Sequence, residues 1–300
     1  MEVKDYFKEL VGLTQSEAKL FMSNFLKLKY KEVVETEDYI FAVGKIPVAL
    51  VAHLDTVYEE PVKNLFYDKQ KRIYWSPEGL GADDRAGLAA IISIIQGGYE
   101  PCIILTCDEE AGGLGAKALG MNSCPFPQIK YLIQLDRKGK NDCVFYDVGT
   151  LEFSKYISSF GFVEQRGTYS DISFLCPQWE KCGVNLSVGY YYEHSYREFL
   201  KISELENTIE KVKLMLEEAE SSQSFTLEPY YNASIVRCPI CHQWCFSFDL
   251  IPYIKEDNSI DKACGDCLVE LVHWCERCGI PFESSASGKI CRKCEEQKNE

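Results

Sequence analysis

Histidine is scarce in this chain. It occurs four times in 300 residues, and only His53 and His194 precede residue 240. Any imidazole chemistry in the larger part of the chain therefore rests on those two. Basic charge is short as well: 32 Lys and Arg stand against 46 Asp and Glu, a net charge of −14. That balance argues against a nucleic-acid footprint across the surface. Long apolar runs are missing too. The longest, Ala86 to Ile95, is too short to span a bilayer. The opening residues Met1-Glu2-Val3-Lys4-Asp5 lack signal-peptide character. A cytoplasmic protein is expected, and in a reducing compartment its fifteen cysteines read as thiols or metal ligands rather than disulfides.

The chain is organised around the stretch Pro47 to Val57, whose apolar, β-branched run reads as a buried strand. His53 and Asp55 follow two residues apart and so project from the same side of an extended chain. A histidine there can ligate a metal through one ring nitrogen while the carboxylate holds the other and fixes the tautomer. An isolated His-x-Asp is more often a structural pair at a strand end, so a metal site needs further ligands downstream.

Thr14-Gln15-Ser16-Glu17 is a capping-box pattern opening a helix, with Ala18, Phe21, Phe25 and Leu28 as its apolar face. Hairpins are expected over 32–43 and 66–75, the second turned at Lys69-Gln70-Lys71. Buried strands are expected at Cys102–Thr106, Tyr131–Leu135 and Val184–Val188. Helices are expected at Leu88–Ile95, Leu114–Leu119, Leu151–Ser159 and Asp171–Leu175. A second capping box, Ser203-Glu204-Leu205-Glu206, starts a helix with Leu205, Ile209, Val212 and Leu216 on one face. Strands alternating with helices predict an α/β fold with a mostly parallel, mixed sheet flanked by helices. Ligand sites in such sheets gather at the carboxyl ends of the strands. Periodicity fades over Glu217–Ser224, which divides the chain into residues 1–222, a linker at 223–234 and a cysteine-rich unit at 235–300. A chain truncated after about Gln223 is expected to fold.

Three acidic or histidine clusters sit just past strand ends, and Asp83 sits just before a helix. His53, Asp83, Glu110, Asp136 and His194 together supply five oxygen and nitrogen ligands, the inventory that two zinc-sized ions about 3.5–4 Å apart need if one carboxylate is shared. Glu109, beside a ligand, is left as a general base. The motifs VAHLDTV, GADDRAG, TCDEEAGG, LDRKG and NLSVGYYYEHS, in this order, resemble the dizinc exopeptidase superfamily that includes peptidase T, bacterial dizinc aminopeptidases, carboxypeptidase G and acetylornithine deacetylase. The resemblance covers roughly residues 45 to 216. It implies one zinc on His53, Asp83 and Asp136, and a second on Asp83, Glu110 and His194. Asp83 would bridge, Asp55 would orient His53, and Glu109 would take the proton of a metal-activated water and return it to the leaving amine. About sixty residues separate Asp136 from His194, which leaves no room for the lid domain of many relatives. The lid residues that grip a substrate carboxylate thus have no counterpart. In the superfamily an aspartate at the Asp136 position accompanies aminopeptidases. The implied enzyme is a zinc-dependent aminopeptidase on short peptides. An amidase or deacetylase on a non-peptide substrate would share every metal residue, and a catalytically inactive zinc-ribbon adaptor is the reading from another class.

Six cysteines (Cys102, Cys107, Cys124, Cys143, Cys176, Cys182) are scattered singly and read as buried thiols. Eight of the other nine form four Cys-x-x-Cys pairs: Cys238/Cys241, Cys264/Cys267, Cys275/Cys278 and Cys291/Cys294. Four pairs in so short a segment predict a zinc-ribbon domain with two structural zinc sites of four cysteines each, and metal supplies the staple that a small core needs. Pairing first with second and third with fourth is preferred over interleaving, with Cys245 and His242 as spare donors. From Tyr231 to Glu300 there are 8 Lys and Arg against 11 Asp and Glu. The tail is therefore expected to contact protein, a partner or a second copy, rather than phosphate.

Overall fold

Valine, alanine and leucine fill Val48–Ala52, and a strand so uniformly apolar has to be covered on both faces. In the computed structural model of the chain it is, lying inside an eight-stranded sheet. The structure describes residues 2–227, 235–246, 250–255, 259–277 and 281–283. The chain forms two compact units, Met1–Pro229 and Tyr230–Glu300. Among the described residues no helix is long and apolar enough to cross a membrane.

The first unit runs α1 (Val3–Leu10), α2 (Gln15–Lys29), β1 (Val33–Glu35), β2 (Tyr39–Ala42), β3 (Ile46–His53), β4 (Phe66–Asp68) and β5 (Ile73–Trp75). It continues with α3 (Ala82–Gln96), β6 (Pro101–Thr106), α4 (Leu114–Gly120), β7 (Tyr131–Arg137), β8 (Asp142–Val144) and α5 (Leu151–Ser159). Then come β9 (Val163–Glu164), α6 (Asp171–Trp179), β10 (Gly183–Ser187), β11 (Tyr190–Tyr191), β12 (Phe199–Lys201) and α7 (Ile202–Glu218). The large sheet has the order β1-β2-β6-β3-β7-β10-β8-β9, and its four central strands are mutually parallel. Register aligns His53 with Thr106 on β6 and Val51 with Gln134 on β7, so the carboxyl ends of these strands share one edge. A smaller antiparallel sheet, β11-β12-β5-β4, carries the loop that bears His194.

Two local expectations are corrected. α2 has its capping box, with the Glu17 N–H donating to Thr14 Oγ1 at 3.3 Å and the Thr14 N–H to the Glu17 carboxylate at 2.9 Å. Its buried row, however, is Ala18, Met22 and Leu26; Phe21 and Phe25 are half-buried flanks, and Leu28 is 83% exposed. The i, i+4, i+8 row meets the core, while the aromatic rings lie along its side. α7 begins at Ile202 straight out of β12, so Ser203 falls inside the helix and caps nothing. Glu204 instead accepts from the Tyr191 hydroxyl at 2.6 Å and the Lys201 ammonium at 2.7 Å. α1 was not anticipated, although Val3, Tyr6, Phe7 and Leu10 have helical spacing and are all buried.

The division between the units falls within the expected linker 223–234, and the first residues of that stretch belong to the first core. Lys130 donates to the carbonyls of Ala219, Glu220 and Ser222, which ties down the C-terminus of α7. Phe225 then turns back into the first core, its ring centroid 4.9 Å from Phe153 and 5.2 Å from Tyr156. Its N–H donates to Lys130 and its carbonyl accepts from Cys182. A chain ended at Gln223 should therefore be less stable than one ended at Pro229 by about 3 kcal/mol or more, the usual loss for deleting a buried phenyl group. Urea unfolding followed by circular dichroism checks this; equal midpoints would show that Phe225 contributes nothing.

Candidate active site

The carboxyl ends of β3, β6 and β7 deliver His53, the Glu109–Glu110 pair and Asp136 to one edge of the sheet, and the start of α3 adds Asp83. Every one of these side chains is largely withdrawn from water. His53 is 1% exposed, and its Nε2 lies 3.1 Å from Asp83 Oδ1 and 3.6 Å from Asp136 Oδ1. On the other side, His194 Nε2 lies 2.9 Å from Glu110 Oε1 and 3.3 Å from Asp83 Oδ2. Asp83 thus sends one oxygen to each histidine. Two groups share it, His53-Asp83-Asp136 and Asp83-Glu110-His194, and within each the ligand atoms lie inside 4.8 Å of one another. The five residues singled out by sequence converge here.

Asp55 Oδ1 lies 3.2 Å from His53 Nδ1, which leaves the ring's other nitrogen to face the acids. The Asp55 carboxylate also accepts the Glu109 N–H at 3.0 Å and the Glu110 N–H at 2.9 Å, so one side chain orients both the imidazole and the acidic turn. Burial opposes its charge, but these contacts outweigh burial and keep it below its ordinary range. Glu109 is only 8% exposed. Burial pushes its carboxyl up to about 10, against the lowering influence of His53, with Asp136 and Asp171 adding to the rise.

The electrostatics of the two triads follow from crowding. Burial lifts Asp136 to about 7, and the adjacent Asp83 carboxylate adds to that rise. Burial also works against Asp83, but contacts with His194 and His53 outweigh it and hold it below the usual range. For His53 burial disfavours the charged ring, and Asp136, Asp55 and Asp83 together overcome it and raise the imidazole well above its ordinary value. Asp83 and Glu110 hold His194 at about 10. Both imidazoles are thereby biased toward the charged form, which offsets part of the acids' charge. A ligating imidazole must be neutral, so a cation bound here would displace those protons and take over their balancing role.

Several further groups, given no role in the sequence reading, position the ligands. Asp84 accepts the His53 N–H at 3.1 Å and the Gly87 N–H at 3.0 Å, which fastens α3 to β3. A Cβ at Gly87 would lie 2.1 Å from the Leu135 carbonyl oxygen, so only glycine lets α3 come this close to β7. Glu198, 1% exposed, accepts the N–H groups of Gly81 at 2.7 Å and Asp83 at 3.2 Å. Asp136 is caged by the Ser170 hydroxyl at 2.8 Å, the Gln134 amide at 3.2 Å and the Tyr190 hydroxyl at 3.2 Å, and Asn185 donates to its backbone carbonyl at 2.9 Å. Ser170 is at once the N-cap residue of α6 and a donor to the site. Gln134 and Asn185, polar residues inside apolar strands, were the available signal; Glu198 in its loop offered none.

In the second unit Cys238, Cys241, Cys264 and Cys267 come together. Cys275 is buried elsewhere, with Ile254 and Phe282. Cys278, Cys291 and Cys294 lie outside the described residues. His242 and Cys245 do not join the cluster. The six scattered cysteines form no disulfides; five are buried and Cys124 is half-buried.

No family model matches the chain, and no curated protein matches it. Solved structures do. A tripeptidase from Staphylococcus aureus matches with a TM-score of 0.61 at 13% identity, covering 74% of this chain and 98% of its own. The aminopeptidase PepT of Bacillus cereus matches with a TM-score of 0.56 at 17% identity, covering 73% and 98%. A TET peptidase of Pyrococcus horikoshii, described as assembling into a tetrahedron or a large octahedral shell, matches with a TM-score of 0.55 at 14% identity, covering 72% and 99%. At such identities the likeness is one of fold: the first unit has the fold of these peptidases, and a tetra-cysteine cluster lies near the C-terminus.

Proposed function

We propose that the first unit is a dinuclear metallopeptidase, an aminopeptidase on short peptides, holding two zinc ions. The observation that carries this is Asp83, whose two oxygens face two separate ligand triads. The donor set fits the metal: each triad offers one imidazole nitrogen and carboxylate oxygens, the ligands zinc takes at about 2.0–2.2 Å. His53 and Asp136 would complete one site and Glu110 and His194 the other, with Asp83 common to both. A bound pair supplies an acidified water and polarisation of the scissile carbonyl.

The remaining work belongs to the chain. Asp55 holds His53 and the backbone of the acidic turn, so the spacing of both triads rests on one carboxylate. Glu109 accepts a proton from the attacking water and returns it to the leaving amine, two roles that occur in succession for a single carboxyl group. Burial raises its proton affinity in the metal-free site, and the positive charge of bound cations would lower it and leave a carboxylate able to take that proton. The aminopeptidase assignment draws on the aspartate at position 136 and on the tripeptidase and aminopeptidase names of the structural neighbours.

Zinc should raise the thermal unfolding temperature of the first unit, by the equivalent of about 2.7 kcal/mol at a hundredfold excess over the dissociation constant. Asp83→Ala should abolish that rise, because it removes an oxygen from both triads at once. Calorimetry with and without chelator measures it, and an undiminished rise in the variant would exclude Asp83 as a ligand.

Glu109→Gln should lower kcat by about 10²- to 10⁴-fold while the metal content stays unchanged. A panel of free and N-acetylated di- and tripeptides, assayed with this pair of proteins, separates the possible activities. Turnover confined to free amino termini supports the aminopeptidase. Turnover of acetylated substrates alone would assign a deacylase. No turnover with metal bound would leave the adaptor reading.

A further inference from the structure

We propose that Cys238, Cys241, Cys264 and Cys267 hold one structural zinc ion, and that the first Cys-x-x-Cys pair closes on the second. The site is separate from the hydrolytic centre and stands whether or not that centre is a peptidase. Its geometry is specific. Four sulfurs about 2.3 Å from a common centre at tetrahedral angles lie about 3.8 Å apart. Cys238 Sγ is 3.9 Å from Cys267 Sγ, and Cys241 Sγ is 3.7 Å from Cys264 Sγ. A disulfide would bring sulfurs to about 2.05 Å, and none of the four forms one.

Local structure explains the approach. Strands β13 (Ile235–Arg237) and β14 (Trp244–Phe246) form a hairpin whose tip is Cys238 to Gln243. The tip is tied by the Cys238 N–H donating to Gln243 and the His242 N–H donating to Cys238, with His242 in the left-handed region. After β15 (Ile251–Ile254) and β16 (Ile260–Ala263), the second pair lies at Cys264, just before α8 (Gly265–Leu271), and at Cys267 inside it. The Cys264 N–H donates to Cys238 Sγ at 3.4 Å, which favours thiolate at that position. Among the described residues the buried set beneath the sulfurs is Cys238, Tyr253, Ala263 and Leu268, with Leu250 and Ile251 packed against it. So small a core needs a staple, and a closed four-sulfur site provides one. Cys275 packs with Ile254 and Phe282 instead, so an interleaved arrangement with the third pair does not match the geometry.

Cys241→Ser, Cys264→Ser and the double variant, each made in the full-length chain, decide the pairing by native mass spectrometry. Each single variant should lose one zinc ion relative to the unaltered protein, and the double variant should lose the same single ion. Loss of two ions in the double variant would show that the pairs serve different sites. Unchanged zinc in every variant would remove the site. A second measurement does not depend on any variant folding. Cys241 is exposed, so in the unaltered chain iodoacetamide should modify it only after a chelator has stripped the metal. Equal modification with and without chelator would overturn the proposal, and iron in place of zinc would overturn the assignment of the ion.

Discussion

The first unit depends on one constraint: several carboxylates are buried side by side, and their charge has to be balanced. Asp83, Glu110 and Asp136 meet at the carboxyl edge of the sheet, with Asp55 and Glu109 behind them. Solvent cannot screen them well there, and like charges so placed raise one another's proton affinity. Much of the surrounding structure serves to hold that arrangement. Asp84 and Glu198 fasten the segment around Asp83 from two directions, through the N–H groups of His53, Gly87, Gly81 and Asp83 itself. Asp55 does the same for Glu109 and Glu110.

Parallel strands make this economical. Adjacent strands that run the same way end on the same edge, so residues distant in sequence arrive there without long loops. β3, β6 and β7 each contribute at their last residue or close to it. The apolar interior of the sheet needs no knowledge of the site, and the site needs only that the register be kept. His194 is the exception. It comes from the loop after β11 with positive φ, and about half of its side chain remains exposed. It is the member of the set nearest to solvent.

Much of the fold was legible in the sequence because periodicity and strand-end chemistry are local. The buried strands, most of the helices and the five-ligand order are written as contiguous motifs. What sequence did not reveal is tertiary in origin. Leu28 has the spacing of a core residue but faces water, because the helix meets the core along the row of Ala18, Met22 and Leu26. Ser203 has the pattern of a cap but sits just beyond a strand that runs directly into the helix. Phe225 lies in a stretch without periodicity, yet it packs into an aromatic cluster with Tyr131, Phe153 and Tyr156. Glu198 acts through backbone N–H groups more than a hundred residues away in sequence, and no spacing rule reaches that far.

Asp83 as a bridge is the point on which the functional account rests, and anomalous diffraction from crystals grown with zinc tests it most directly. The account predicts two strong peaks in the first unit, about 3.5–4 Å apart, with one Asp83 oxygen directed at each. A single peak on only one histidine, or two peaks that Asp83 does not link, would contradict it.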